Sequence, residues 1–153
     1  MDVLRELSLV GAVVTTGLMA GIYLAFSIAV MPGLGRSGDA AYVEVMRHVN
    51  AAIPNPVFLL VFIGPLVLDV VAVATRIHGD PGLGWTELGL VLYVVTLILT
   101  GRVNIPLNNA LDRTEPVAEA RAAFERRWVR WNGVRTVVGL ASFVALLPAL
   151  VAL

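Results

Sequence analysis

The sequence predicts an all-α fold: a bundle of four membrane-spanning helices, with an extra short helix in the first long connector and a helical extension leading into the fourth span. Composition is the first observation behind this. The chain is 58% hydrophobic and only 14% charged, with a mean hydropathy of +0.85, whereas a soluble domain carries about 25% charged residues. Spacing is the second: four apolar runs recur along the chain, each near the roughly 20 residues that a bilayer crossing requires. Periodicity is the third, because in each run the polar side chains share one face at about 100° per residue. The 153 residues fit one integral membrane domain.

The first span is expected at 7–31 and contains no charged side chain. Thr16, Tyr23 and Ser27 fall on one face. Gly17, Gly21, Ala25 and Ala29 fall nearly opposite, a small-xxx-small row that predicts close helix packing. The leader MDVLRE is net acidic and the apolar run behind it is long, so a cleaved signal peptide is not expected. The connector 33–55 should hold a short helix with Asp39 as its N-cap. Asn55 sits between Pro54 and Pro56, where an ordinary helix is disfavoured.

The second span is expected at 56–75, with Asn55, Phe58, Phe62, Pro65 and Asp69 aligned. A carboxyl inside a bilayer is costly and by default marks function. Its bland alternative is a structural Asp69, protonated or bonded to Tyr93 or Thr16. The turn 76–84 carries His78, read as a surface residue. GLG at 82–84 lacks the spacing and the Lys-Ser/Thr of a phosphate loop. The third span, 85–103, aligns Tyr93, Thr96, Thr100 and Asn104. It runs into TGRVNIPLNNAL, where Pro106 removes a backbone donor and crowds the Arg102 carbonyl. The helix is therefore expected to end there, with Asn104 and Asn109 re-satisfying its broken end.

The connector 104–132 is charged and should become helical after Thr114-Glu115-Pro116, with the proline in the first turn. It leads into the fourth span, 135–153. Phe124, Trp128, Trp131, Asn132, Arg135 and Ser142 align along this last helix. Arg126, Arg127 and Arg130 lie on other faces and read as contacts to anionic headgroups. The four polar stripes meet as a seam inside the bundle. They serve either as hydrogen-bonding glue between helices or as the lining of a site.

Charge and composition exclude several chemistries. The formal net charge is zero, so no nucleic-acid partner is expected. All eleven basic residues are arginine, which excludes a Schiff-base lysine. Cysteine is absent, which excludes disulfides and thiolate catalysis. With only His48 and His78, a multi-histidine metal site is not expected, and the reading includes no cofactor. Nine of the arginines fall in or beside the first and third connectors, against Arg5 and Arg76 on the other side. By the positive-inside rule both termini lie outside and the long connectors in the cytoplasm, with the chain in the plasma (inner) membrane. The bilayer is the first partner, and a homo-oligomer is compatible with the small-residue row.

The candidate site gathers at the arginine-rich end. Its binding residues are Asn50, Asn55, Phe58, Asn104, Asn108, Trp131, Asn132 and Arg135. A guanidinium entering a span needs an acceptor, which can be a helix-end carbonyl, an asparagine or an anionic ligand. His48, able to titrate near neutral pH, and Asp69 are the candidate bases. Read structurally, His48 is a solvated surface residue.

The motifs AFSIAVMPGL, MRHVNAAIPNPVF, NIPLNNAL and RRWVRWNGVRT occur in that order. Together they resemble the DUF1772 family of small four-span membrane proteins, also called anthrone oxygenase-like. The resemblance implies the four-helix membrane fold. It also implies an oxygenase activity of the kind fungal relatives perform in aromatic polyketide pathways: oxidation of anthrones to anthraquinones with O₂, without an evident metal or flavin. Such a cofactor-independent monooxygenase needs a base to ionise the phenolic polycycle and donors to hold the anion, which then reacts with O₂. Asn104, Asn108, Asn132 and Arg135 are suited as donors, and Trp131, Phe58 and Phe26 as stacking partners. The alternative is a non-enzymatic membrane protein: a lipophile-binding module, a small transporter subunit or an interaction partner. A closed pocket at the arginine-rich end favours a ligand, a solid core a structural role, and an aqueous path past Asp69 transport.

Overall fold

Helical propensity and apolar length build five helices in the computed structural model of the chain, which describes residues 2–76 and 80–152. The helices are α1 (Val3–Leu34), α2 (Asp39–Ala52), α3 (Pro56–Ala74), α4 (Leu83–Arg113) and α5 (Val117–Val151). Among the described residues there is no strand. Four of the helices, all but α2, are long and apolar enough to cross a membrane. The predicted all-α bundle is therefore present, with the extra short helix in the first connector and the extension ahead of the fourth span. His78 lies outside the described residues.

Helix length positions the site. At 1.5 Å per residue α3 is about 28 Å long, close to the ~30 Å hydrocarbon thickness of a bilayer. By the same rise α1, α4 and α5 reach about 46–53 Å and overrun that thickness. The excess of α1, α4 and α5 projects at the arginine-rich end. There it joins α2 to form a head with its own core of Tyr42, Val43, Met46, Leu111, Phe124 and Trp128. Arg121 ties the head together by donating to the Ser37 carbonyl at 2.7 Å and the Gly35 carbonyl at 3.0 Å. Arg47 bonds the carbonyls of Leu111 and Thr114 at 3.0 Å each.

Within the spans the helices form a four-cornered ring, in which α1 packs on α3 and α5, and α4 packs on α5 and α3. α4 and α5 approach closely at Gly89. A Cβ on Gly89 would lie 2.7 Å from Leu146 Cγ, and the Ser142 hydroxyl donates to the Gly89 carbonyl at 2.8 Å. Gly17 meets the Phe143 ring, as the small-residue row predicts, but Gly21 faces open space. At the other end Arg76 pairs with Asp80 and donates to the Ala149 carbonyl at 3.1 Å.

Proline chemistry explains where the helices depart from the expected boundaries. α4 does not end near Val103 but continues to Arg113 through a π turn at Thr100–Asn104. α1 contains a matching π turn at Phe26–Val30. Each π turn closes on the residue before a proline: the Met31 amide reaches the Phe26 carbonyl, and the Ile105 amide reaches the Thr100 carbonyl. A proline can neither donate to nor tolerate the carbonyl four residues back. Widening the preceding turn by one residue absorbs that mismatch without ending the helix. The start of α2 also differs from expectation. Gly38, in extended conformation, is the N-cap, and Asp39 pairs with Arg121 at 3.0 Å. Pro116 is the N-cap of α5 rather than a first-turn residue.

Candidate functional site

Both π turns contribute to the lining of a cavity of about 330 Å³ at the arginine-rich end, Phe26 from one and Thr100 and Asn104 from the other. A volume in this range suits a small organic ligand. Its walls are mostly apolar and aromatic: Tyr23 and Phe26 from α1, Met46 from α2, Phe58 and Phe62 from α3, and Trp128 from α5. The rings of Phe58 and Phe62 stack at 5.6 Å, and Phe26 lies 5.8 Å from Trp128. This gives the cavity two aromatic walls, one from α3 and one shared by α1 and α5.

The polar groups form two sets, a buried one of Tyr23, Thr100, Asn104 and Arg135 and an outer one that includes Asn50, Asn109 and Asp112. Arg135 is buried. Its Nη1 donates to Thr100 Oγ1 at 3.1 Å and its Nη2 to Asn132 Oδ1 at 2.7 Å. The guanidinium lies over the Tyr23 ring at 4.2 Å. All of these partners are neutral, no carboxylate among the described residues pairs with Arg135, and its Nε has no hydrogen-bond partner. Beside it Asn104 is only 1% exposed, and neither its amide oxygen nor its amide nitrogen has a partner. The Tyr23 hydroxyl is buried as well, close to the hydroxyls of Thr96 and Thr100. Leaving a buried polar group unpaired costs roughly 1–3 kcal/mol, so a partner that reached the Asn104 amide and the Arg135 Nε would offset that cost. A cation, an amide and a phenol facing an apolar cavity suit an oxygen-bearing, electron-rich ligand.

A second layer holds these groups in place. Asn132 is fully buried. Its amide nitrogen donates to Ser27 Oγ at 2.8 Å and to the Tyr23 carbonyl at 3.2 Å. It thereby fixes the Arg135 side chain to the π turn of α1. Trp128 donates its indole N–H to Asn108 Oδ1 at 2.8 Å.

The predicted site residues divide clearly. Asn50, Phe58, Asn104, Asn108 and Arg135 line the cavity. Asn132 supports Arg135 from behind the wall. Asn55 instead caps α3, accepting from the Phe58 amide at 2.9 Å and donating to the Ala52 carbonyl at 3.0 Å. Trp131 is half-buried and does not line the cavity; Trp128 occupies that place. His48 is exposed and is not among the cavity residues. Asp69 is fully buried away from the lining, and its carboxyl oxygens have no hydrogen-bond partner. The expected bond from Tyr93 goes elsewhere, to the Phe62 carbonyl at 2.6 Å. Asn104 does not cap a helix end, because α4 does not end there.

Tyr23, Thr100, Trp128 and Asp112 are cavity residues outside the predicted set. For Trp128 the signal was present: it stands four residues before Asn132 and seven before Arg135, at the centre of their helical face, whereas Trp131 stands at its edge. Among the described residues no three His, Cys, Asp or Glu side chains gather as a metal site.

The family model for anthrone oxygenase matches residues 7–145. No curated protein and no solved structure matches the chain.

Proposed function

The chain belongs to the anthrone oxygenase family, and on that premise we propose that its cavity binds a flat phenolic polycycle and oxidises it with O₂, without a cofactor. The observation that carries this reading is the buried, unpartnered amide of Asn104 beside the uncompensated guanidinium of Arg135. An anthrone becomes reactive toward O₂ when a ring-bridging C–H proton is lost and the charge moves to the carbonyl oxygen. Arg135, with Asn104 and the Tyr23 hydroxyl, supplies donors for that oxyanion in a water-poor site, where such donors are worth most. The α3 wall and the Phe26–Trp128 wall hold the rings flat.

The electron balance closes without a further reductant. The anion gives one electron to O₂, and the resulting radical pair joins through a new C–O bond. Protonation gives a hydroperoxide. Loss of the second bridging C–H proton cleaves the O–O bond, leaving a carbonyl and releasing water. One oxygen atom enters the product and the other leaves as water.

Asp112 is the acidic side chain among the cavity residues, and we assign it the proton-accepting role in place of His48 or Asp69. Topologically we place the cavity on the cytoplasmic side, by the excess of arginine there. The assignment is tested by quinone formation from 1,8-dihydroxyanthrone by the purified protein under air. Asp112→Asn should lower the rate by about 10²-fold, the usual weight of a positioned base. His48→Ala and Asp69→Asn should leave it within a factor of two or so of the parent. Loss of rate in His48→Ala alone would reassign the base.

A further inference from the structure

The cavity has an exposed rim of two kinds. Asn109 and Asp112 of α4, with Asn50 of α2, are polar. Asn50 Nδ2 reaches Asp112 Oδ1 at 3.4 Å, so these two helices are bridged on the side of the head. The other part of the rim is apolar and unbridged. Leu59 of α3 and Ile105 of α4 both line the cavity and are each 47% exposed. Outside them, Val57 and Leu60 are 72% and 71% exposed. Apolar side chains left this open belong against lipid in a spanning helix.

Depth agrees with that placement. α3 spans the hydrocarbon with almost no excess, so its first residue, Pro56, marks the bilayer boundary. Leu59 is three residues further in, about 4.5 Å below that boundary. Arg102, exposed one turn before Ile105, is suited to the headgroup level of the same leaflet. Within the spans α4 packs against α3 along Leu83–Leu99, whereas the stretch beyond Thr100 packs instead on α5 and α2. The start of α3 and the Ile105 turn of α4 thus flank a slot at the level of the cavity.

We infer that the cavity opens sideways into the bilayer between Leu59 and Ile105, and that its ligand enters from the lipid phase. This names the access route of the ligand in the reading above and rests on it for the ligand's identity. The geometry of the slot stands by itself. A lipophilic ring system dissolved in the leaflet would pass the apolar lips first. Its carbonyl oxygen would then reach Arg135 and Asn104, while the opposite edge of the ring system would remain near Asn109 and Asp112.

Trp128 reports on the slot because it lines the cavity yet is only 4% exposed. In a Trp85→Phe/Trp131→Phe background it is the one remaining tryptophan. The protein is reconstituted into phosphatidylcholine vesicles, with or without lipid brominated at acyl positions 6 and 7. Lateral opening predicts strong quenching of Trp128 by the brominated lipid and little by aqueous acrylamide. Leu59→Phe and Ile105→Phe, which add bulk to the two lips, should each restore most of the emission. Acrylamide quenching that matches or exceeds that of the lipid overturns the inference. So does bromine quenching that neither lip variant changes. A second arm follows binding of 1,8-dihydroxyanthraquinone, a redox-inert probe, to the same vesicles. The lip variants should slow both its entry and its exit by about tenfold, where a variant that only weakened binding would speed exit. Absence of probe binding in the parent would defeat the aromatic-ligand reading, while the quenching arm would still decide the slot.

Discussion

Arg135 donates to the amide oxygen of Asn132 at 2.7 Å, one turn back on the same helix, and the nitrogen of that amide reaches Ser27 of α1 at 2.8 Å. A buried cation is thus held by a neutral amide rather than by a carboxylate. Its direction is fixed and its charge is left for the cavity. A guanidinium is the side chain suited to this, being permanently charged and rich in directed donors.

Asn132→Asp tests that division of labour. The new carboxylate would keep the bond to Arg135 but neutralise its charge. Affinity for an aromatic sulfonate probe, which stays anionic in acid, should fall by about 10–100-fold, in line with the ~1.5–3 kcal/mol of a hydrogen bond to a charged group. Asn132 is a positioning residue, so its effect should be pH-dependent. The variant should approach the parent under acid conditions, where the carboxylate protonates. Probe titration across pH distinguishes this from simple misfolding, which would not recover.

Asn104→Leu separates ligand from fold. The Asn104 amide makes no hydrogen bond within the protein, so removing it relieves an unpaired buried group worth roughly 1–3 kcal/mol. Thermal unfolding in detergent should show stability equal to or above that of the parent. Binding of the phenolic probe should weaken by about tenfold or more, the counterpart of one lost hydrogen bond. A lowered unfolding temperature would mean that the amide supports the fold.

Asp80 gives a pH signature at the opposite end of the molecule. The Gly82 N–H, ahead of the guanidinium groups of Arg76 and Arg5, holds its carboxyl below the ordinary 3.8 despite partial burial. A depressed folded-state pKa contributes stability above the unfolded value, and that contribution is lost as pH falls through the folded value. The parent should therefore be more stable than Asp80→Asn at neutral pH. Its advantage should shrink only below about pH 4. Thermal unfolding of the two proteins across this range checks the sign.

Much of this architecture was legible in the residues. The spans follow from apolar length, and Tyr93, Thr96, Thr100 and Asn104 share a face that is buried throughout. Asn55, between two prolines, could hardly be helical, and it became a cap. What escaped was the response of the backbone to Pro32 and Pro106. A proline announces that a helix must adjust, but ending and widening by one residue are nearly equal local solutions. Packing of Leu107 and Leu111 into the head core favours the second. That choice carries α4 onward and turns Asn104 from a presumed cap into a cavity residue. An arc of about 100° contains both Trp131 and Trp128, but spacing puts Trp128 at its centre, and it is the centre that lines the cavity. Asp69 stands apart. Its burial was foreseeable, whereas its lack of a bond to Tyr93 depended on the Phe62 carbonyl being available nearby.

In the proposed reaction Arg135 draws out and holds the anion that reacts with O₂. Quinone formation from 1,8-dihydroxyanthrone under air, with purified parent protein and Arg135→Met at matched folding, tests it most directly. A parent rate well above the protein-free rate is expected, with a loss of about 10²–10³-fold in the catalysed rate for Arg135→Met, the usual cost of removing an oxyanion donor. A parent rate equal to the protein-free rate, or an Arg135→Met variant as fast as the parent, would contradict it.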